Sequence, residues 1–283
     1  MDPRTVKLQG DGLELAADLY GDETAPPVLL LHGGGQTRHA WGGAAATLAA
    51  SGKFAVSIDL RGHGHSDWSP DGVYTMDRFA GDVRVIASSL GRPPALVGAS
   101  LGGLSSLAAV GESVQQLATC LVLVDVAPRV ETEGRVKIQG FMRGGMRGFD
   151  TLDDAADSIA AFLPHRPRPT NLEGLTKNLR QRGDGRWYWH WDPRWLGNHE
   201  GVDGQGGLVR HERLCDAARK VTIPTLLVRG RMSDIVSDES VRELLELIPH
   251  AEVVDIAGAG HMVAGDRNDV FNDAVIGFVD RVS

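Results

Sequence analysis

GASLGG, Gly98 to Gly103, follows an apolar run, Ala95 to Val97, and precedes an apolar stretch, Leu104 to Val110. The pattern G-x-S-x-G between a strand and a helix makes a sharp turn, with glycines where a Cβ would collide and a serine, Ser100, pushed out at the helix start. A serine hydroxyl attacks poorly until a base takes its proton, so this chemistry demands a histidine and an acid to orient it. GAGHMV supplies His261 after the apolar run Val253 to Ile256, and RGRMSDIVS supplies Asp234 after Thr225 to Val228. Asp125, at the end of Cys120 to Val124, is a second candidate for the acid. Asp238 is a third, although its position reads as first-turn helix capping.

A second stretch, HGGGQTRHAWGG from His32 to Gly43, begins where the apolar run Val28 to Leu31 stops. Such a turn can cradle phosphate, hold a metal through its histidines, or aim backbone N–H groups at a developing negative charge. A phosphate loop would end in G-K-[ST], and there is no lysine between Gly10 and Lys53. Metal binding through His32 and His39, or through His63 and His65 of DLRGHGHSD, lacks partners at useful spacing. Asp59, His63 and His65 read as a structural loop, and no metal or cofactor is expected.

The elements that must position these groups follow from pattern. Val28–Leu31, Phe54–Ile58, Ala95–Val97, Cys120–Val124, Thr225–Val228 and Val253–Ile256 are rich in Val, Ile and Leu and do not alternate with polar residues, as strands covered on both faces read. Met76 to Leu90 and Ser237 to Ile248 carry helical apolar spacing, with Thr75 and Ser237 as N-caps. Strands alternating with helices predict a mostly parallel sheet with helices on both faces. Thr5 to Tyr20, with its turn at Gly10-Asp11-Gly12, predicts an antiparallel hairpin at one edge.

From about Ala127 to Lys220 no strand run appears, and this stretch reads as a helical cap over the carboxyl end of the sheet. Arg129 to Arg219 holds 15 Lys and Arg against 13 Asp and Glu, which leaves 14 against 24 for the remainder. The chain is expected to divide into a core, 1–126 with 221–283, and a cap, 127–220. In the cap, RWYWHWDPRW places Trp187, Trp189 and Trp191 as possible walls for an acyl or aromatic group. Gly35 and Met262 complete the expected pocket.

Composition sets the outer bounds. With 283 residues, 42% hydrophobic and 23% charged, one substantial core is expected. A net charge of −8 argues against a nucleic-acid partner. No apolar run reaches membrane-span length and the start lacks a secretory layout, so no membrane partner and a cytoplasmic location are expected. The two cysteines, Cys120 and Cys215, can make neither a disulfide framework nor a zinc site built on cysteines, and read as packing residues.

These pieces together resemble the α/β-hydrolase fold: His32-Gly33, the block Asp59 to Asp67, the turn at Ser100, Asp234 and GAGH at His261, in the chain order that fold uses. The resemblance is to its capped Ser-His-Asp branch of small esterases, lactonases and cofactor-free haloperoxidases, and it implies an eight-stranded sheet. It further implies that Leu101 and Gly34, with Gly35 as fallback, hold the oxyanion of acyl transfer, and that His32 is structural. The expected activity is hydrolysis of a small ester or lactone through an acyl-enzyme, by a monomer or homodimer. Alternatives on the same residues are perhydrolase or carbon-carbon bond hydrolase chemistry, or a ligand-binding protein without turnover.

Overall fold

The computed structural model describes residues 2–164, 166–197, 211–257 and 268–282. The expected edge hairpin is β1 (Arg4–Gln9) with β2 (Glu14–Tyr20). The apolar runs are β3 (Pro27–Leu31), β4 (Phe54–Ile58), β5 (Ala95–Ala99), β6 (Cys120–Val124), β9 (Thr225–Gly230) and β10 (Glu252–Ile256). They form one eight-stranded sheet in the order β1-β2-β4-β3-β5-β6-β9-β10. Pairing is parallel from β4 through β10 and antiparallel where β2 meets β1 and β4.

Each central strand feeds two cores, because successive side chains leave opposite faces. Leu29, Leu31, Leu121 and Leu123 pack on the side of α2 (Met76–Ser89), α3 (Leu101–Gly111), α7 (His211–Ala218) and α8 (Asp238–Leu247). Val28, Leu30, Val122 and Val124 face α1 (Gly42–Ala50) and α9 (Asn268–Val282). Two covered faces account for the apolar runs, and a polar exception such as Ser57 of β4 is satisfied internally, its hydroxyl donating to the Arg38 carbonyl. Ser237 caps α8 by accepting the Ser240 amide, whereas Thr75 makes no side-chain cap bond on α2.

The segment between β6 and β9 departs from the all-helical expectation. It holds α4 (Thr132–Gly144), α5 (Leu152–Phe162) and α6 (Pro193–Gly197), but also an antiparallel pair, β7 (Leu179–Gln181) and β8 (Trp187–Trp189). Three-residue strands are too short to show alternation, and the Arg and Gly residues between them hid the hairpin. Its turn is closed by the Gly185 amide on the Arg182 carbonyl.

The junction of β5 and α3 is the tightest in the chain. A Cβ on Gly98 would lie 2.5 Å from the Gly102 backbone, and one on Gly102 would collide with the Leu31 carbonyl of β3. We expect Gly102→Ala to cost about 3 kcal/mol or more, because backbone atoms of a central strand cannot yield. Urea unfolding monitored by circular dichroism measures it; a loss under about 1 kcal/mol would show that the junction can relax.

Candidate active site

Ser100 occupies the point where that junction turns. Its backbone, φ 47° and ψ −115°, lies in a region L-residues avoid, and its amide donates to the Val124 carbonyl of β6 at 3.1 Å. Asp125 is the other non-glycine residue with positive φ among those described, also at 47°. The two follow adjacent strands, with Ala99 opposite Val124, so two strained residues stand side by side at the carboxyl edge of the sheet. Strain of this kind persists where the surrounding structure over-determines it, and it clusters at functional sites.

The glycine turn sits beside Ser100. Two of its three amides are committed: Gly33 N–H donates to Gln36 Oε1 at 2.9 Å, and Gly35 N–H to His63 Nε2 at 3.1 Å. Gly34 N–H has no protein acceptor among the described residues, and neither does Leu101 N–H at the start of α3. The fallback donor, Gly35, is thus occupied.

Three histidines hold this turn. His32 donates through Nδ1 to the Gly33 carbonyl at 2.8 Å and accepts the Leu60 amide on Nε2 at 2.9 Å. His63 donates through Nδ1 to the Arg61 carbonyl, and His190 accepts the Gly64 amide at 2.6 Å while its Nε2 faces the Gly35 carbonyl at 3.3 Å. Burial lowers the pKa of His32 and pushes that of His190 down to about 3, so both rings are neutral near pH 7. Asp59 accepts from the Arg38 and His65 amides and from Arg38 Nη1 at 2.6 Å. The DLRGHGHSD block is thereby structural, as expected, and Asp59 is committed to Arg38.

The candidate acids separate clearly. Asp125 is buried; Oδ1 accepts the Gly230 amide at 3.0 Å and Oδ2 the Ser233 hydroxyl at 2.5 Å. Asp234 instead receives Lys137 Nζ at 2.9 Å with 40% of its side chain exposed, and α4 crosses so closely that a Cβ on Gly134 would strike the Asp234 carbonyl. Asp238 pairs with Arg229 on the first turn of α8. His261 and Met262 lie outside the described residues.

A cavity of about 1020 Å³ opens over Ser100. Its walls include Gly33, Gly34, Gly35, Ser100 and Leu101, with Ile138, Phe141, Met142, Trp189, Trp191 and Trp195 from the segment above. Trp187 lies off this wall, bridged through its backbone to Phe149. The charged side chains on the wall are Arg129, Arg135, Arg166 and Lys177, and no acidic residue is among the described ones that line it. Sequence reasoning missed these cations individually, although the basic excess of the segment was countable. It also missed Ser233, which only the fold brings to Asp125.

Residues 26–267 match the alpha/beta hydrolase fold model, and the chain belongs to that family. It is 32% identical over 267 residues to esterase Rv0045c of Mycobacterium tuberculosis, covering 91% of this chain and 84% of that one. It is 28% identical to the 2-(acetamidomethylene)succinate hydrolase of Mesorhizobium japonicum over 80% of this chain and 78% of that one. A crystal structure of E-2-(acetamidomethylene)succinate hydrolase superposes with a TM-score of 0.83 at 25% identity, covering 98% of this chain and 100% of the other. The protein is an ester-acting hydrolase. No helix among the described residues is long and apolar enough to cross a membrane.

The neutral histidines set a pH dependence. The folded pKa of His190, about 3, lies below its ordinary 6.5, so the unfolded chain takes up the proton first. Its contribution to stability is complete above about pH 6.5 and is lost as pH falls toward 3. His190→Asn, whose Oδ1 can accept the Gly64 amide, should show a smaller drop in Tm between about pH 7.5 and 5 than the parent protein. Equal drops would place the titration elsewhere.

Proposed function

We propose that the protein cleaves a carboxylic ester through an acyl-enzyme, with Ser100 as nucleophile, His261 as proton shuttle and Asp125 as the acid that orients it. The observation that carries this reading is the strained Ser100 at the floor of the cavity, flanked by the uncommitted amides of Gly34 and Leu101. Those amides hold the oxyanion, each worth about 3 kcal/mol of barrier. Water then releases the acyl group by the same route.

Asp125 takes the place expected for Asp234. Its burial, its fixed carboxylate and its position one strand from Ser100 suit a group that must orient an imidazole, whereas Asp234 is tied to Lys137. The segment 127–220 serves as the cap. Its apolar side chains favour an acyl chain or ring near Ser100. Arg135 and Lys177, which have no ion-pair partner among the described residues, favour a carboxylate or phosphate at the far end of the substrate. The relative named for a succinate derivative acts on a molecule of that kind, which supports the preference.

Ser100→Ala should lower kcat/KM for p-nitrophenyl butyrate by roughly 10⁴ or more, and Asp125→Asn by roughly 10³. Asp234→Asn should change it less than about threefold, as expected for an exposed pair. A large loss in Asp234→Asn with little in Asp125→Asn would return the acid to Asp234.

The charge preference is read separately. Mono-p-nitrophenyl glutarate should be turned over at least about tenfold better than its methyl diester, and Arg135→Gln with Lys177→Gln should narrow the gap. Equal rates would remove the anionic preference and leave the esterase reading intact.

A further inference from the structure

Outside the ester chemistry, three side chains meet where α7 packs on α8. His211 and Cys215 are one turn apart on the same face of α7, and Glu243 comes from α8. His211 Nε2 lies 3.1 Å from Glu243 Oε1 and 3.5 Å from Cys215 Sγ, and the three donor atoms all fall within 4.8 Å of one another. A tetrahedral ion with bonds of about 2.05 Å to nitrogen and oxygen and about 2.3 Å to sulfur holds its donors about 3.3 Å (N to O) and 3.6 Å (N to S) apart. The two separations made by His211, 3.1 Å to Glu243 and 3.5 Å to Cys215, lie within about 0.3 Å of those values.

The surrounding contacts fit the same purpose. His211 Nδ1 faces the Pro128 carbonyl at 3.3 Å, an outer partner that keeps the proton on Nδ1 and the lone pair on Nε2. Glu243 Oε1 also receives Arg129 Nη2 at 3.4 Å, but Glu243 Oε2 is buried without a hydrogen-bond partner among the described residues. An acceptor in that condition calls for a cation or donor. Cys215 is buried, so its sulfur is screened from bulk water.

We infer that His211, Cys215 and Glu243 form a binding site for a borderline divalent metal ion of the zinc class. A thiolate and a carboxylate neutralise the two positive charges, imidazole completes a three-donor set, and the thiolate selects against magnesium and calcium. Because His211 and Arg129 also line the cavity, the ion sits at the cavity wall, with a fourth position left for water. This departs from the sequence reading, which expected no metal, no zinc site built on cysteines and only a packing role for Cys215; a site with one cysteine and two other donors from neighbouring helices is visible only in the fold.

The test uses the full chain, stripped with a chelator and titrated with Co²⁺ alone. Wild-type protein should develop the near-ultraviolet band of cobalt bound to thiolate, saturating at one ion per chain, and Zn²⁺ should abolish it. Cys215→Ser should remove the band, and Glu243→Gln or His211→Gln should weaken binding at least about tenfold. Cys120→Ser, altered in β6, should retain the band. Circular dichroism checks that each variant folds, and Glu243→Gln, on the half-buried face of α8, decides the matter if Cys215→Ser does not fold. Absence of the band in folded wild-type protein, or its persistence in Cys215→Ser, overturns the site. The readout is light absorption, so the outcome stands whether or not the esterase reading does.

Discussion

Everything at the carboxyl edge of the sheet depends on how closely the chain passes itself between β5 and α3. Gly98 rests on the Gly102 backbone and Gly102 rests on the Leu31 carbonyl, leaving no room for a side chain at either position. That contact forces Ser100 out of ordinary backbone geometry and sets its distance from the glycine turn, which begins just after Leu31. Ser100 and the amides of Gly34 and Leu101 are thus placed by one backbone contact, each at the end of a central strand.

The second requirement is that the glycine turn stay put without charge of its own. Neutral imidazoles meet it. A protonated ring could not accept the Leu60, Gly35 or Gly64 amides, so desolvation of His32 and His190 maintains the acceptor atoms the turn needs. The aromatic neighbours contribute to that dryness: the His63 ring meets Trp195 edge-on at 4.7 Å, and His190 lies 5.9 Å from His63. The buried ion pair of Arg38 with Asp59 anchors the far side of the same loop.

The sequence was legible where a single physical demand governs a whole run. Strands buried on both faces are dominated by apolar residues, and five of the six runs read from the sequence are such strands, while the sixth, β10, is the half-exposed edge. The glycines around Ser100 were legible because close approach tolerates nothing else. The two candidate carboxylates were harder. Asp125 and Asp234 both follow strands, and their spacing cannot say which carboxylate turns inward to Gly230 and Ser233 and which turns out to Lys137. Likewise RWYWHWDPRW announced aromatic packing, but only the fold shows that Trp189 and Trp191 line the cavity while Trp187 does not.

Helix α4 gives the protein a property that belongs to neither end of it alone. Its first turns are stitched to the loop between β9 and α8: the Glu131 amide donates to the Ile235 carbonyl, the Glu131 carboxylate accepts the Ser237 hydroxyl, and Gly134 lies against Asp234. Further along, the same helix presents Arg135, Ile138 and Met142 to the cavity. The loop at its base also carries Ser233, which fixes the carboxylate of Asp125. The wall of the cavity and the hydrogen bonds that fix the Asp125 carboxylate therefore share one lever arm, so a change that shifts α4 reaches both.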